Sequence, residues 1–129
     1  MKCIAWNCRG LGRPCAVRAT IDLIRSHRPE ILGLIETKLK ASDWDTMRVR
    51  LGFRNCFSVD RRGLAGGLAL LWTEEVTLSI LSYSQWHVDA EVMAESTFRL
   101  TLFYGNPRAS QRDESWHLLR RLKGRNDGD

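Results

Sequence analysis

The sequence predicts an α/β fold, and three observations carry that reading. Two short, continuous apolar runs, each closed by a polar residue, flank a segment of helical period, as a βαβ-like unit requires. After Gly52 the pattern changes to strand-like runs separated by turn residues. A length of 129 residues with 43% apolar content permits one domain with a sizeable core.

The first run, Lys2 to Asn7, reads K-C-I-A-W-N; it is too brief for a helix and ends on a polar group, which predicts a buried strand. Arg9-Gly10-Leu11-Gly12-Arg13 breaks it. Pro14 suits the first turn of a helix, while Val17, Ile21, Ile24 and the stem of Arg28 recur at helical spacing and Pro29 ends the pattern, so a helix is expected over 14–27. Ile31 to Ile35 is an unbroken apolar run finishing at Glu36, the form of a strand covered on both faces.

Ser42 followed three residues later by Asp45 resembles a capping start; Trp44, Met47 and Leu51 give a short second helix its apolar side, and Gly52 closes it. Five strand-like runs follow: Cys56 to Val59, Leu68 to Trp72, Val76 to Leu81, Val88 to Met93 and Phe98 to Tyr104. A meander of antiparallel strands is the economical arrangement. Ser110 can then cap a last helix with Trp116, Leu119 and Leu122 on one side, so the domain is expected to span 1–122, followed by a polar tail over 123–129.

Composition narrows the function classes. No run of eighteen apolar residues and no secretory leader pattern is present, which predicts a soluble intracellular protein with no membrane partner. Cys3, Cys8, Cys15 and Cys56 form no C-x-x-C pair, so reduced thiols packed as small hydrophobes are expected. The 20 Lys plus Arg against 15 Asp plus Glu give a net charge of +5, dominated by arginine, the residue suited to bidentate phosphate contacts. Arg61-Arg62-Gly63-Leu64-Ala65-Gly66-Gly67 lacks the Lys-Ser/Thr end of a P-loop, and G-x-S-x-G is absent, so nucleotide cradles and serine triads are excluded. Gly66 and Gly67 would let the backbone pass close to a catalytic face.

Asn7 and Glu36 each end a predicted strand, and neighbouring parallel strands would deliver both to one sheet edge. A carboxylate beside an amide oxygen suits a hard cation such as Mg²⁺, which takes a few protein oxygens and completes its sphere with water and phosphate. The plainer alternative makes Asn7 a turn starter and Glu36 a solvated residue. Tyr104, at the end of another strand, could present its hydroxyl to a phosphate or simply pack against the rim. In Gln85-Trp86-His87-Val88-Asp89, alternation puts His87 and Asp89 on one face, as a phosphate contact or as a surface pair.

In order along the chain, W-N-C-R-G-L-G at 6–12, L-I-E-T-K at 34–38, G-L-A-G-G-L-A-L-L-W at 63–72, W-H-V-D-A at 86–90 and F-Y-G-N-P at 103–107 resemble the endonuclease/exonuclease/phosphatase superfamily. More narrowly, they resemble the endonuclease domain of plant LINE-type (non-LTR) retrotransposons. The resemblance implies part of a deoxyribonuclease-like four-layer α/β sandwich, its N-terminal portion, cleaving a DNA phosphodiester with Mg²⁺, in the nucleus. It makes Glu36 the metal-ligating carboxylate, Asn7 the adjacent metal-site or phosphate-orienting amide, Tyr104 the hydroxyl near the scissile phosphate, and Arg9 and His87 substrate contacts.

The family continues through a G-D-F-N-like segment and an S-D-H-like segment carrying the general-base histidine; neither is among these residues, and Asn126-Asp127-Gly128-Asp129 does not replace them. The expectation is therefore a truncated, inactive endonuclease remnant, with a first sheet short of neighbours. The alternatives are a non-catalytic nucleic-acid-binding module and a fragment without a function of its own.

Overall fold

The computed structural model describes residues 1–104 and 116–122. Strand β1 (Cys3–Asn7) leads into helix α1 (Pro14–His27) and returns as β2 (Ile31–Ile35), parallel to β1 with Asn7 beside Ile35. Pro14 opens α1 and Arg28, in the left-handed region at φ 47°, closes it by donating its N–H to the Ile24 carbonyl at 2.7 Å. Val17 is buried and Ile21 and Ile24 pack beside it, as their spacing predicts. Arg28, expected to continue that stripe, turns out of it into the cap and is exposed.

A short 3₁₀ turn at Ala41–Asp43 precedes α2 (Trp44–Leu51), whose buried residues are Trp44, Met47 and Leu51. The expected Ser42–Asp45 cap does not form. Instead the Lys40 N–H donates to Asp43 Oδ2 at 2.9 Å and the Ala41 N–H to Asp60 Oδ1 at 2.7 Å, so the helix start is tied to the neighbouring strand. Gly52, at φ 85°, ends the helix as predicted.

Strands β3 (Asn55–Arg62) and β4 (Ala65–Trp72) form a hairpin, and β4 pairs antiparallel with β2, giving a first sheet in the order β1-β2-β4-β3. Strands β5 (Thr77–Tyr83), β6 (His87–Met93), β7 (Thr97–Tyr104) and β8 (Trp116–Leu122) make a second, antiparallel sheet in chain order. The single expected meander is thus divided between two sheets. Its division has a cause in the residues: Leu68 to Leu71 is apolar on both faces and is stable only in an interior position, which β4 takes between β2 and β3. By contrast, β7 alternates buried with more exposed residues, as a strand with one covered face does.

A second correction concerns the last element. Residues 116–122 form β8, antiparallel to β7, where a helix was expected; β7 would otherwise offer a row of unpaired backbone groups, and strand pairing outweighs the local helical spacing. Ser110, Gly105-Asn106-Pro107 and the tail over 123–129 lie outside the described residues.

The sheets stack face to face. Ile31, Ile35, Leu68 and Leu70 of the first meet Val88, Ala90, Val92, Phe98, Leu100 and Leu102 of the second, and Gly33 has no side chain because Leu102 occupies its place, 2.7 Å from where a Cβ would stand. On the other face of the first sheet, Leu32, Leu34, Ala69 and Leu71 pack against α1 and α2. Helices, first sheet and second sheet are three layers of an α/β sandwich. β1 is an edge, and all five of its residues are only half-buried. Among the described residues, no helix is long and apolar enough to cross a membrane.

Candidate active site

Parallel pairing of β1 and β2 delivers Asn7 and Glu36 to the same sheet edge, one register position apart. Glu36 lies just beyond β2 in the left-handed region at φ 55°, a conformation that costs a residue bearing a side chain about 1–3 kcal/mol and persists where neighbours over-determine it. Here they do. The Glu36 carbonyl accepts the Gly10 N–H at 2.7 Å, while the Thr37 and Lys38 N–H groups donate to the Gly67 and Gly66 carbonyls at 3.1 and 2.8 Å. Gly67 sits at φ 95°, and a Cβ there would overlap Thr37 Oγ1 and lie 2.9 Å from the Lys38 nitrogen. The glycine pair therefore does allow the close backbone passage expected of it.

Across the interface between sheets, the Tyr104 hydroxyl donates to Glu36 Oε2 at 2.9 Å. Tyr104 is 6% exposed and its ring lies 6.1 Å from that of Trp86. Asn7 Oδ1 accepts the Arg9 N–H at 3.0 Å, and Arg9, itself at φ 53°, offers its carbonyl to the Arg13 guanidinium at 3.0 Å. Asn7 thus starts a turn, at the strand end one register position from Glu36.

His87 is placed elsewhere. Val88, Ala90 and Val92 face the core, so His87 and Asp89 share the outer face of the second sheet, opposite to Tyr104. The His87 ring bonds Ser84 Oγ at 2.7 Å through Nδ1 and Ser82 Oγ at 3.2 Å through Nε2, and the structure does not bring it to Glu36. Asp89, 7% exposed, takes the Arg99 guanidinium and the Thr101 hydroxyl; these bonds hold its carboxyl below its ordinary range.

The cysteines divide. Burial pushes the Cys8 and Cys56 thiols up to about 12, whereas Cys15, expected to pack, is exposed on the first turn of α1. Among the described residues, no group of three or more His, Cys, Asp or Glu gathers as a metal site. The end of the sandwich with Glu36 carries Arg9, Arg13, Lys38, Arg61 and Arg62 together with Asp60, and the far end carries Glu30, Glu75 and Glu95 together with Lys2, Arg28 and Arg54.

Two packed sheets with α1 and α2 on one face are the deoxyribonuclease-like α/β arrangement. The chain belongs to the endonuclease/exonuclease/phosphatase family, whose model matches residues 4–129. Among solved structures it is similar to the 3′ phosphatase NExo from Neisseria bound to a product DNA hairpin, with a TM-score of 0.53 and 18% identity over 75% of this chain and 39% of that one. The AP endonuclease LMAP from Leishmania major also matches, with a TM-score of 0.41 and 16% identity over 94% of this chain and 39% of that one. This chain spans 39% of the length of each. No curated protein matches the sequence.

Sequence reasoning passed over Thr37, which is fully buried and whose Oγ1 accepts the Leu39 N–H at 3.4 Å. Its signal was available: a Thr following a strand-end Glu, with a Gly-Gly pair further on.

Proposed function

We propose that this chain carries the carboxylate side of a phosphodiester-hydrolysing site that acts on DNA. The carrying observation is the Tyr104–Glu36 bond, which brings a hydroxyl from the second sheet to a carboxylate at the end of β2 in the first, within an edge that also carries Arg9. Family membership supports hydrolysis of phosphate esters as the reaction class.

The donor set fits a hard divalent cation. Glu36 is half-buried with Oε1 outside its bond to Tyr104, and Asn7 Oδ1 retains a lone pair beyond the one given to Arg9. In this reading Glu36 and Asn7 hold the ion, Mg²⁺ by resemblance, which when bound polarises the phosphate. Tyr104, its one hydroxyl proton given to Glu36, orients that carboxylate and stands near the scissile phosphate. Arg9 contributes positive charge at the same edge. His87, held on the outer face, acts on substrate only indirectly, through the loop it fixes.

No residue here is proposed as the base that activates water, since neither a G-D-F-N-like nor an S-D-H-like segment is present. The 129 residues alone are accordingly proposed to be inactive, because loss of a general base and of half a phosphate clamp costs about 10²–10⁴-fold for the base alone. The five ordered motifs support an origin in the endonuclease of a plant LINE-type element, where nicking would prime reverse transcription in the nucleus. The arginines around Glu36 favour, as a second reading, DNA binding without cleavage.

Supercoiled plasmid incubated with the protein and Mg²⁺ tests this. The expected result is binding without nicking above a Glu36→Ala control; nicking that depends on Glu36 overturns the inactivity, and no DNA binding at low salt overturns the functional reading as a whole.

A further inference from the structure

The flank of α2 and the start of β3 border an open cavity of about 390 Å³ that the chemistry at Glu36 does not use. The register Asn55–Trp72–Ile31 puts it at the opposite end of the first sheet from Glu36, roughly 20 Å away by strand rise and spacing. Its volume is that of a small-molecule site. Buried Trp44 gives it an apolar wall, and Arg48, Arg54, Ser58 and Asp45 supply polar groups.

Arg48 is held in place by its own turn. Gly52, in the left-handed region, reverses the chain after α2, so that the Gly52 and Phe53 N–H groups donate to the Arg48 carbonyl at 3.0 and 3.2 Å. The same reversal brings the Phe53 and Arg54 carbonyls to Arg48 Nη1, which donates to them at 3.0 and 3.2 Å. One side of the guanidinium is thereby fixed, and Nε and Nη2 remain as donors. Cys56 packs against the helices, so alternation puts Ser58, two residues on, on the same helix-facing side of β3. Among the described residues, the Arg54 guanidinium, the Ser58 hydroxyl and the Asp45 carboxylate make no hydrogen bond or ion pair.

We propose that this cavity binds one phosphate group, free or carried by a small phosphomonoester, whose oxygens are taken by Arg48, Arg54 and Ser58. A pre-oriented guanidinium beside a second one suits a phosphate, since both present planar forks of donors to its oxygens. The two cations against the one Asp45 carboxylate leave the lining with a net charge of +1, enough for a single phosphate and too little for a run of nucleic-acid backbone. Asp45, an acceptor only, is matched to a hydroxyl or amino group on the same ligand. The site does not depend on the DNA reading and stands if that reading falls.

The test is calorimetric titration of the full chain with inorganic phosphate, adenosine 5′-monophosphate and adenosine, without divalent cations and at constant ionic strength. Both phosphates should bind and adenosine should not. Arg54→Gln, which removes a charged donor at an exposed position, should weaken phosphate binding about 12- to 150-fold, and Ser58→Ala, which removes a neutral one, about 2- to 12-fold. Arg50→Gln, on the same helix but outside the cavity lining, should leave it unchanged. Thermal melts establish that each variant is folded. A loss with Arg50→Gln equal to that with Arg54→Gln would mean diffuse attraction and overturns the site, as does a wild type that takes up neither phosphate. A single-stranded oligonucleotide that displaces the monophosphate, and fails to do so in Arg54→Gln, overturns the assignment to a small ligand.

Discussion

Tyr104 and Glu36 stand 68 residues apart in sequence and in different sheets, yet hydroxyl and carboxylate meet at 2.9 Å. Replacing Tyr104 with Phe removes this link with little change of shape. Urea unfolding should show a loss of about 0.5–1.5 kcal/mol, the net worth of one such bond. Combined with Glu36→Ala, the two losses should be less than additive; strict additivity would mean that the side chains do not interact.

Gly67 makes a sharper prediction. Gly67→Ala must take a left-handed conformation and push into Thr37 and the Lys38 backbone. Strain of about 1–3 kcal/mol, with overpacking of similar size, should lower the urea midpoint markedly. Gly12, where a Cβ would meet nothing within 4 Å, is the control: Gly12→Ala should leave the midpoint nearly unchanged.

Asp89 contributes to acid stability. Hydrogen bonds from Arg99, then from Thr101, depress its folded value below the ordinary 3.8, so its contribution is in place above that value and is lost as pH falls through the lower, folded one. Asp89→Asn should destabilise the protein at neutral pH and flatten the fall in melting temperature below pH 3.8. A variant with an acid limb as steep as wild type would show that other carboxyls set it.

DNA affinity should fall steeply with salt. If three phosphates are neutralised at the Glu36 end, raising salt from about 50 to 200 mM should weaken binding roughly 40-fold. Arg9→Ala and Arg62→Ala should each reduce the logarithmic salt slope by about one. A slope near zero would be incompatible with phosphate contacts.

Thiol labelling separates the cysteines. Cys15, exposed, should react with iodoacetamide within minutes, and Cys8 and Cys56, raised to about 12 by burial, only after unfolding. Peptide mass mapping before and after denaturation reads this directly.

Much of the first half of the fold was legible because its signals are local. Pro14 and the Val17–Ile21–Ile24 spacing set α1, and the unbroken run Ile31 to Ile35 announced a strand covered on both sides. Strand partners were less legible. That β4 pairs with β2 as well as with β3, and not with β5, follows from its two apolar faces, a cue that a meander does not accommodate. The final strand was missed since its identity comes from the open side of β7 and not from its own spacing. At the site, Asn7, Glu36 and Tyr104 were visible as strand ends, whereas the outward turn of His87 depends on which face of β6 is buried, and that is fixed only when the sheets stack.

Each sheet is drawn from an unbroken stretch of chain, residues 3–72 for one and 77–122 for the other. The second sheet joins strands that follow one another in the chain, whereas in the first β2 meets β1 across α1 and β4 across α2 and β3. The carboxylate–tyrosine pair exists only once the two have docked. Separating the sheets would therefore break this pair even with each sheet left intact.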